Sequence, residues 1–231
     1  MYIFKNLISD LVSLLFPRLC CACGTPLFKT ELHICLHCLH GLPFTDFHLY
    51  PDNRVAKQFW GRVPLQSAMA MLYFKKGNRV QQLIYQLKYK GQTGLGVQLG
   101  EMIGSRLMSN PGFQCDLIIP IPLHRSKAAQ RGYNQSVFIA KGISLVIHVP
   151  VISTTLLKMK KTGSQTRRGR FSRYENLLGA FIVVNADTIK NRNILLVDDV
   201  VTTGATLEAC AGMLLTNGAK SVSVAAIAFS D

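Results

Sequence analysis

Residues 194–206 read ILLVDDVVTTGAT. Four apolar residues, Ile194 to Val197, have the length and composition of a buried strand. Two carboxylates, Asp198 and Asp199, stand at its C-terminal end, where open α/β sheets bind their ligands. Thr202, Thr203, Gly204, Ala205 and Thr206 then turn the chain into a helix that Gly218 ends. Free N–H groups at a helix start, with hydroxyls beside them, form an anion cradle. Gly204 lets a ligand approach the backbone closely. The carboxylates can accept hydrogen bonds from sugar hydroxyls. The stretch therefore predicts a sugar-phosphate site, with phosphate in the turn and a ribose diol on Asp198 and Asp199. A plain strand–turn–helix carrying DD and TTG by chance is the simple alternative. A nucleotide hydrolase would need a GxxxxGK[ST] loop, which the sequence lacks. A phosphoacceptor receiver would need a long domain after the acidic pair, and 32 residues follow Asp199.

The surroundings agree with an α/β reading. DLIIPIPL (116–123) reads as a buried strand running into a loop, and 131–147 as a helix. PVISTTLL (150–157), AFIVV (180–184) and SVSVAAIAF (221–229) read as further strands, and 204–218 as a helix. Strands alternating with helices predict a mostly parallel sheet flanked by helices. Upstream, SAMAMLYF (67–74) reads as a strand, 79–89 and 96–108 as helices, and 51–65 as a linker. GLGVQLG (94–100) has the glycines of a dinucleotide loop, but it follows a lysine-rich turn and lacks the later acidic residue, so that reading is set aside. The expected organisation is an N-terminal helix and metal ribbon over 1–50, a linker, strand and helices over 51–110 that could serve as a hood, and a ligand-binding core over 111–231.

With 231 residues, 48% of them hydrophobic and 16% charged, the chain has the composition of a folded protein with a substantial core. No uncharged apolar run reaches the roughly 18–20 residues of a bilayer span. Lys5 and Asp10 interrupt the apolar first 16 residues and no small-residue cleavage site follows, so an amphipathic packing helix is expected there rather than a signal peptide. The net charge is +14, and residues 51–175 alone carry +16. Such asymmetry fits an anionic partner, a nucleic acid or a polyphosphate, as well as a merely solvated basic surface.

Five of seven cysteines fall within residues 20–38, in the pattern Cys20-x2-Cys23-x11-Cys35-x2-Cys38. Two CxxC knuckles supply the four thiolates that structural zinc takes. The odd cysteine count and cytosolic character argue against a disulfide framework. His33, His37 and His40 lie near enough in sequence to replace one thiolate. Cys21 is spare, and Cys115 and Cys210 read as packing residues.

Residues 194–206 resemble the 5-phosphoribosyl-1-pyrophosphate (PRPP) motif of type I phosphoribosyltransferases. PIPLHRSKAAQRGYNQS (120–136) and NLLGAF (176–181), behind the paired CxxC, are similar to the ComF family, also described as GntX-like. The resemblance implies a type I phosphoribosyltransferase-like core with Mg accompanying PRPP. Asp198 and Asp199 would hold the ribose hydroxyls and act in catalysis, and residues 202–206 the 5-phosphate. Arg125 and Lys127 would be cationic contacts for pyrophosphate, and the basic segment 158–173 a lid, unless that segment is a solvated loop. The family association implies natural competence, handling of imported single-stranded DNA in the cytoplasm, and other competence proteins as partners. Thr202 stands where enzymes acting on 6-oxopurines carry an acidic residue, which argues against that acceptor. A non-enzymatic PRPP sensor that binds nucleic acid, a phosphoribosyltransferase acting on a small nitrogenous acceptor apart from DNA uptake, and an interaction protein with a vestigial site are the alternatives.

Overall fold

The computed structural model describes residues 16–159 and 179–230. In chain order the elements are α1 (Leu36–His40), α2 (Arg54–Lys57), β1 (Ser67–Phe74), α3 (Arg79–Tyr89), α4 (Thr93–Met108), β2 (Leu117–Pro120), α5 (Arg125–Arg131), α6 (Gln135–Ile147), β3 (Leu156–Lys158), β4 (Phe181–Val183), a 3₁₀ turn (Ala186–Thr188), β5 (Asn193–Val201), α7 (Ala205–Thr216) and β6 (Ser221–Ser230). The helix expected over 1–16 lies outside the described residues but for Phe16, and so does the basic segment beyond Met159.

Four strands form one parallel sheet in the order β1-β6-β5-β2. β6 is an almost unbroken apolar run and is buried along its length, as a parallel strand covered on both faces must be. The segment around Val151 adds a parallel bridge to Ile118 on the outer side of β2. From β2 the chain therefore leaves toward Val151, whereas from β5 it leaves through α7 toward β6. Neighbouring strands whose connections depart in opposite directions open a crevice beyond their carboxyl ends. The loops that follow β2 and β5 meet there. The expected fold class, a mostly parallel sheet flanked by helices, is what the chain adopts.

Residues 51–65 were expected to be a linker and are ordered structure instead. Asn53, 7% exposed, accepts from Val55 N and Ala56 N to start α2, and its amide donates to the carbonyls of Phe47, Tyr50 and Ala68. Phe59 is fully buried. Likewise β1 pairs with β6 inside the central sheet, so residues 67–108 are built into the core and do not stand apart as a hood. Proline and glycine at 51, 61 and 64 mimic a linker, but the apolar Val55, Ala56, Phe59 and Val63 among them are buried.

Gly96 and Gly100 of GLGVQLG serve helix packing. A Cβ at Gly100 would lie 2.2 Å from the Ile139 carbonyl oxygen, and one at Gly142 would lie 2.1 Å from that of Val97. α4 and α6 thus meet backbone to backbone, which only glycine allows at the crossing. This holds α6, whose N-terminus reaches the crevice, against the rest of the chain.

Candidate functional site

β5 runs through both carboxylates to Val201, further than the four apolar residues alone indicate. Successive strand residues face opposite sides, which separates the two acids. Asp199 is 4% exposed and doubly held: Lys88 Nζ lies 2.9 Å from its Oδ2, and Gln135 Nε2 donates to the same oxygen at 2.8 Å. Asp198 is only partly exposed, and its Oδ1 accepts from Ser136 Oγ at 3.2 Å and from Asp199 N at 2.9 Å. Burial, reinforced by the neighbouring Asp199 charge, pushes the Asp198 carboxyl up to about 7. Burial lowers the Lys158 pKa, with the Lys127 charge adding to the effect and the Cys210 and Asp198 charges opposing it.

The segment RGYNQS explains how α6 reaches these acids. Gly132, at φ 78°, ends α5 in the left-handed region. Tyr133 Oη donates to the Leu87 carbonyl. Asn134 caps α6 by accepting from Ser136 N at 3.1 Å, and its amide donates to the Ile121 carbonyl at 2.9 Å, tying the helix start to the end of β2. Gln135 and Ser136, 3% and 1% exposed, then take one carboxylate each. The sequence reading placed 131–147 in one helix and missed these partners. The available signal was two polar residues opening an otherwise apolar helix, with a preferred capping residue just before them.

The turn after β5 forms a small cup of about 50 Å³ lined by Asp198 and by residues 200–207, so Thr202, Thr203, Gly204, Ala205 and Thr206 all border it. Gly204 has φ 72°, and a Cβ there would lie 2.9 Å from the Phe59 ring. α7 starts directly after it, so the unpaired N–H groups of its first turn are at the cup. The cup is braced from below by the stretch expected to be a linker. Gln58 Nε2 donates to the Thr202 carbonyl at 3.0 Å, and Arg62 pairs with the buried Glu208 of α7 at 2.6 Å. Arg125 and Lys127, expected on a loop, are exposed on the short helix α5. The Lys127 charge adds to the surroundings of Lys158, and neither Lys127 nor Arg125 hydrogen-bonds any of the described site residues.

At the other end of the chain, the Sγ atoms of Cys20, Cys23, Cys35 and Cys38 all lie within 4.8 Å of one another, with Cys23 and Cys35 at 3.8 Å. Sulfurs at about 2.3 Å from a tetrahedral zinc would be separated by roughly 3.8 Å. Backbone N–H groups of Ala22 and Cys35 point at Cys20 Sγ, and that of Cys38 at Cys35 Sγ, as suits thiolate acceptors. The donor set therefore fits a metal ion. His33 and His37 are turned elsewhere: His33 packs against Gly94, and His37 Nε2 lies 3.1 Å from Arg79 Nη2. Among the described residues the cluster is made of the four cysteines without a histidine. These same contacts, with His33 N donating to Gln98 Oε1, seat the module on α3 and α4.

The family model described as "Phosphoribosyl transferase domain" matches residues 136–230. The "DNA utilization protein YhgH" of Escherichia coli K12 is 28% identical over 226 residues, spanning 90% of this chain and 95% of that protein. "Competence protein ComFC" of Bacillus subtilis is 25% identical and spans 90% and 81%. "Competence protein F" of Haemophilus influenzae is 32% identical over 110 residues, 47% of this chain and 48% of that protein. No helix of the described residues is long and apolar enough to cross a membrane. The crevice with its paired acids, the parallel sheet beneath it and these similarities agree: the chain is a homologue of the competence protein F and YhgH proteins, built on a phosphoribosyl transferase domain behind an N-terminal four-cysteine module.

Proposed function

We propose that the chain binds PRPP in the crevice beyond β2 and β5 and serves the handling of imported single-stranded DNA in the cytoplasm. The observation that carries this is the arrangement after β5: two carboxylates held by α6, followed at once by an anion cup at the start of α7. The 5-phosphate would take the N–H groups of Ala205 and Thr206 and the hydroxyls of Thr202, Thr203 and Thr206. The ribose hydroxyls would lie toward Asp198 and Asp199. Lys127 and Arg125, on the same helix, would face the pyrophosphate. Mg bound with PRPP would neutralise part of the pyrophosphate charge. A neighbouring Mg would favour the charged form of Asp198, whose carboxyl is raised to about 7. If the site is catalytic, the reaction is displacement at ribose C1 with pyrophosphate leaving, and the carboxylates stabilise the positive charge that develops on the ring.

A PRPP sensor is the second reading, and it has its own support. Asp199 is already ion-paired with Lys88 and hydrogen-bonded by Gln135, and Thr202 offers no general base beside the sugar. Calorimetry with Mg and PRPP tests binding: Asp198→Ala/Asp199→Ala should lose about 1.5–3 kcal/mol, the scale of hydrogen bonds to charged groups. Equal affinity in the two proteins rejects the site. Pyrophosphate release measured with candidate bases, amines and single-stranded DNA separates enzyme from sensor, since only an enzyme consumes PRPP.

The cysteine module would hold one structural zinc on Cys20, Cys23, Cys35 and Cys38. Its four thiolates leave no open position for chemistry. The relatives' names, "DNA utilization" and "competence", support the DNA-handling half of the proposal and the expectation of other competence proteins as partners.

A further inference from the structure

α3 turns its apolar side, Val80, Leu83, Ile84 and Leu87, into the core. Its outer side is unusual for a surface helix in a chain this basic. At 100° per residue, Gln81, Tyr85, Tyr89, Gln82 and Gln86 fall on one continuous face. Tyr85 and Tyr89 are 44% and 60% exposed, and their rings lie 5.3 Å apart. Lys90 Nζ stands over the Tyr85 ring at 6.0 Å, and the Arg131 guanidinium over Tyr89 at 5.2 Å. Along the same helix, toward the cysteine module, opens a groove of about 820 Å³. One wall is the first knuckle, from Leu19 to Gly24. The other carries Asn78, Arg79, Gln81, Gln82, Gln86 and Gln92, and among the described residues no acidic side chain lines it.

We propose that this groove and the tyrosine face of α3 form a track for single-stranded DNA. Each component matches one part of such a strand. Bases stack on exposed aromatic rings, and stacking tolerates any sequence because every base has a π-face. Carboxamides offer a donor and an acceptor together, which suits base edges freed from pairing. Arg79, Lys90 and Arg131 lie along the flanks, where phosphates would run. A protein partner of stated charge fits less well, because the face offers neither an apolar centre nor a block of one charge. The track also leads somewhere. Arg131 Nη1 donates to Gln135 Oε1 at 3.0 Å, and Gln135 donates to Asp199 at 2.8 Å. Its far end therefore stands two hydrogen bonds from the carboxylates of the crevice. The inference rests on the DNA-handling reading above and adds to it the surface that holds the strand.

The test is fluorescence anisotropy of a labelled 20-residue oligothymidine with the full chain across a salt series. Tyr85→Ala/Tyr89→Ala should weaken binding about 10-fold or more, from two lost stacking contacts. The slope of affinity against salt should not change, because no phosphate contact is removed. Tyr85→Phe/Tyr89→Phe keeps the rings and should bind like wild type. Gln82→Glu/Gln86→Glu should weaken binding by placing negative charge in the groove. Tyr85, Tyr89 and Gln82 are exposed and Gln86 is half-buried, and PRPP calorimetry with each variant should match wild type, which reports an intact fold. If wild type binds and the alanine and glutamate variants bind equally well, the track is wrong while the DNA-handling reading stands. If the phenylalanine variant loses as much as the alanine one, stacking is wrong. If wild type does not bind even at low salt, the DNA-handling reading itself falls and the track falls with it.

Discussion

Asp198→Asn should make the protein more stable while impairing its site. The carboxyl is raised from 3.8 to about 7 by burial and by the Asp199 charge on the next residue. An acid with a folded pKa above its unfolded one binds its proton more tightly when folded. The unfolded chain then sheds the proton first, and stability falls as pH rises from about 4 to about 7, after which the loss is constant. At about 1.36 kcal/mol per pH unit, three units set a ceiling of roughly 4 kcal/mol. Two features lower it. Asp198 is partly exposed to water, and Lys88 and Ser136 favour its charged form. Asparagine keeps an oxygen for Ser136 Oγ and Asp199 N, so it removes charge and little else. The expected gain is about 1–3 kcal/mol at pH 8, shrinking toward zero near pH 4. Urea denaturation followed by circular dichroism, on both proteins at both pH values, measures it. PRPP calorimetry at pH 8 should show weaker binding by the more stable variant. A variant no more stable than wild type at pH 8, or a gain of equal size at both pH values, would refute the argument that burial and like charge strain this carboxylate.

Four further outcomes are expected. Gly204→Ala meets both a left-handed backbone and the Phe59 ring, so it should lower stability by about 1–3 kcal/mol and weaken PRPP binding together, read by urea titration and calorimetry. Gln135→Ala or Lys88→Ala leaves Asp199 buried with one partner fewer, and unfolding should cost about 2–4 kcal/mol less at pH 8; a neutral result would show that the pair is dispensable. Elemental analysis should find about one zinc per chain in wild type and less in Cys23→Ser, while the sheet signal in circular dichroism survives. Gly142→Leu should unfold the chain outright or cut its stability severely, because the Cβ alone would sit 2.1 Å from the Val97 carbonyl oxygen.

Much of this protein is local, and local features can be read along the chain. The apolar run of 194–197, the acids after it and the turn to a helix each depend on near neighbours. So do the CxxC pairs, whose knuckle geometry needs few residues. The strand at 67–74 and the helix at 79–89 lie where hydrophobic periodicity placed them. What sequence could not decide is who meets whom across long separations. Lys88 meets Asp199 from 111 positions away and Gln58 meets Thr202 from 144, and neither Lys nor Gln carries a local mark of that partner. The glycines at 94, 96 and 100 imitated a ligand loop because small residues serve close approach of any kind; only the packed helices show that what Gly100 approaches is another backbone. The stretch 51–65 carries linker residues, yet it braces the turn that opens α7, because burial is a property of the assembled sheet and not of composition. Chain chemistry thus determined which groups could hold a phosphorylated sugar and a metal ion. Tertiary packing decided that α6 would hold the acids, that β1 would join the central sheet, and that two tyrosines of α3 would be left facing water.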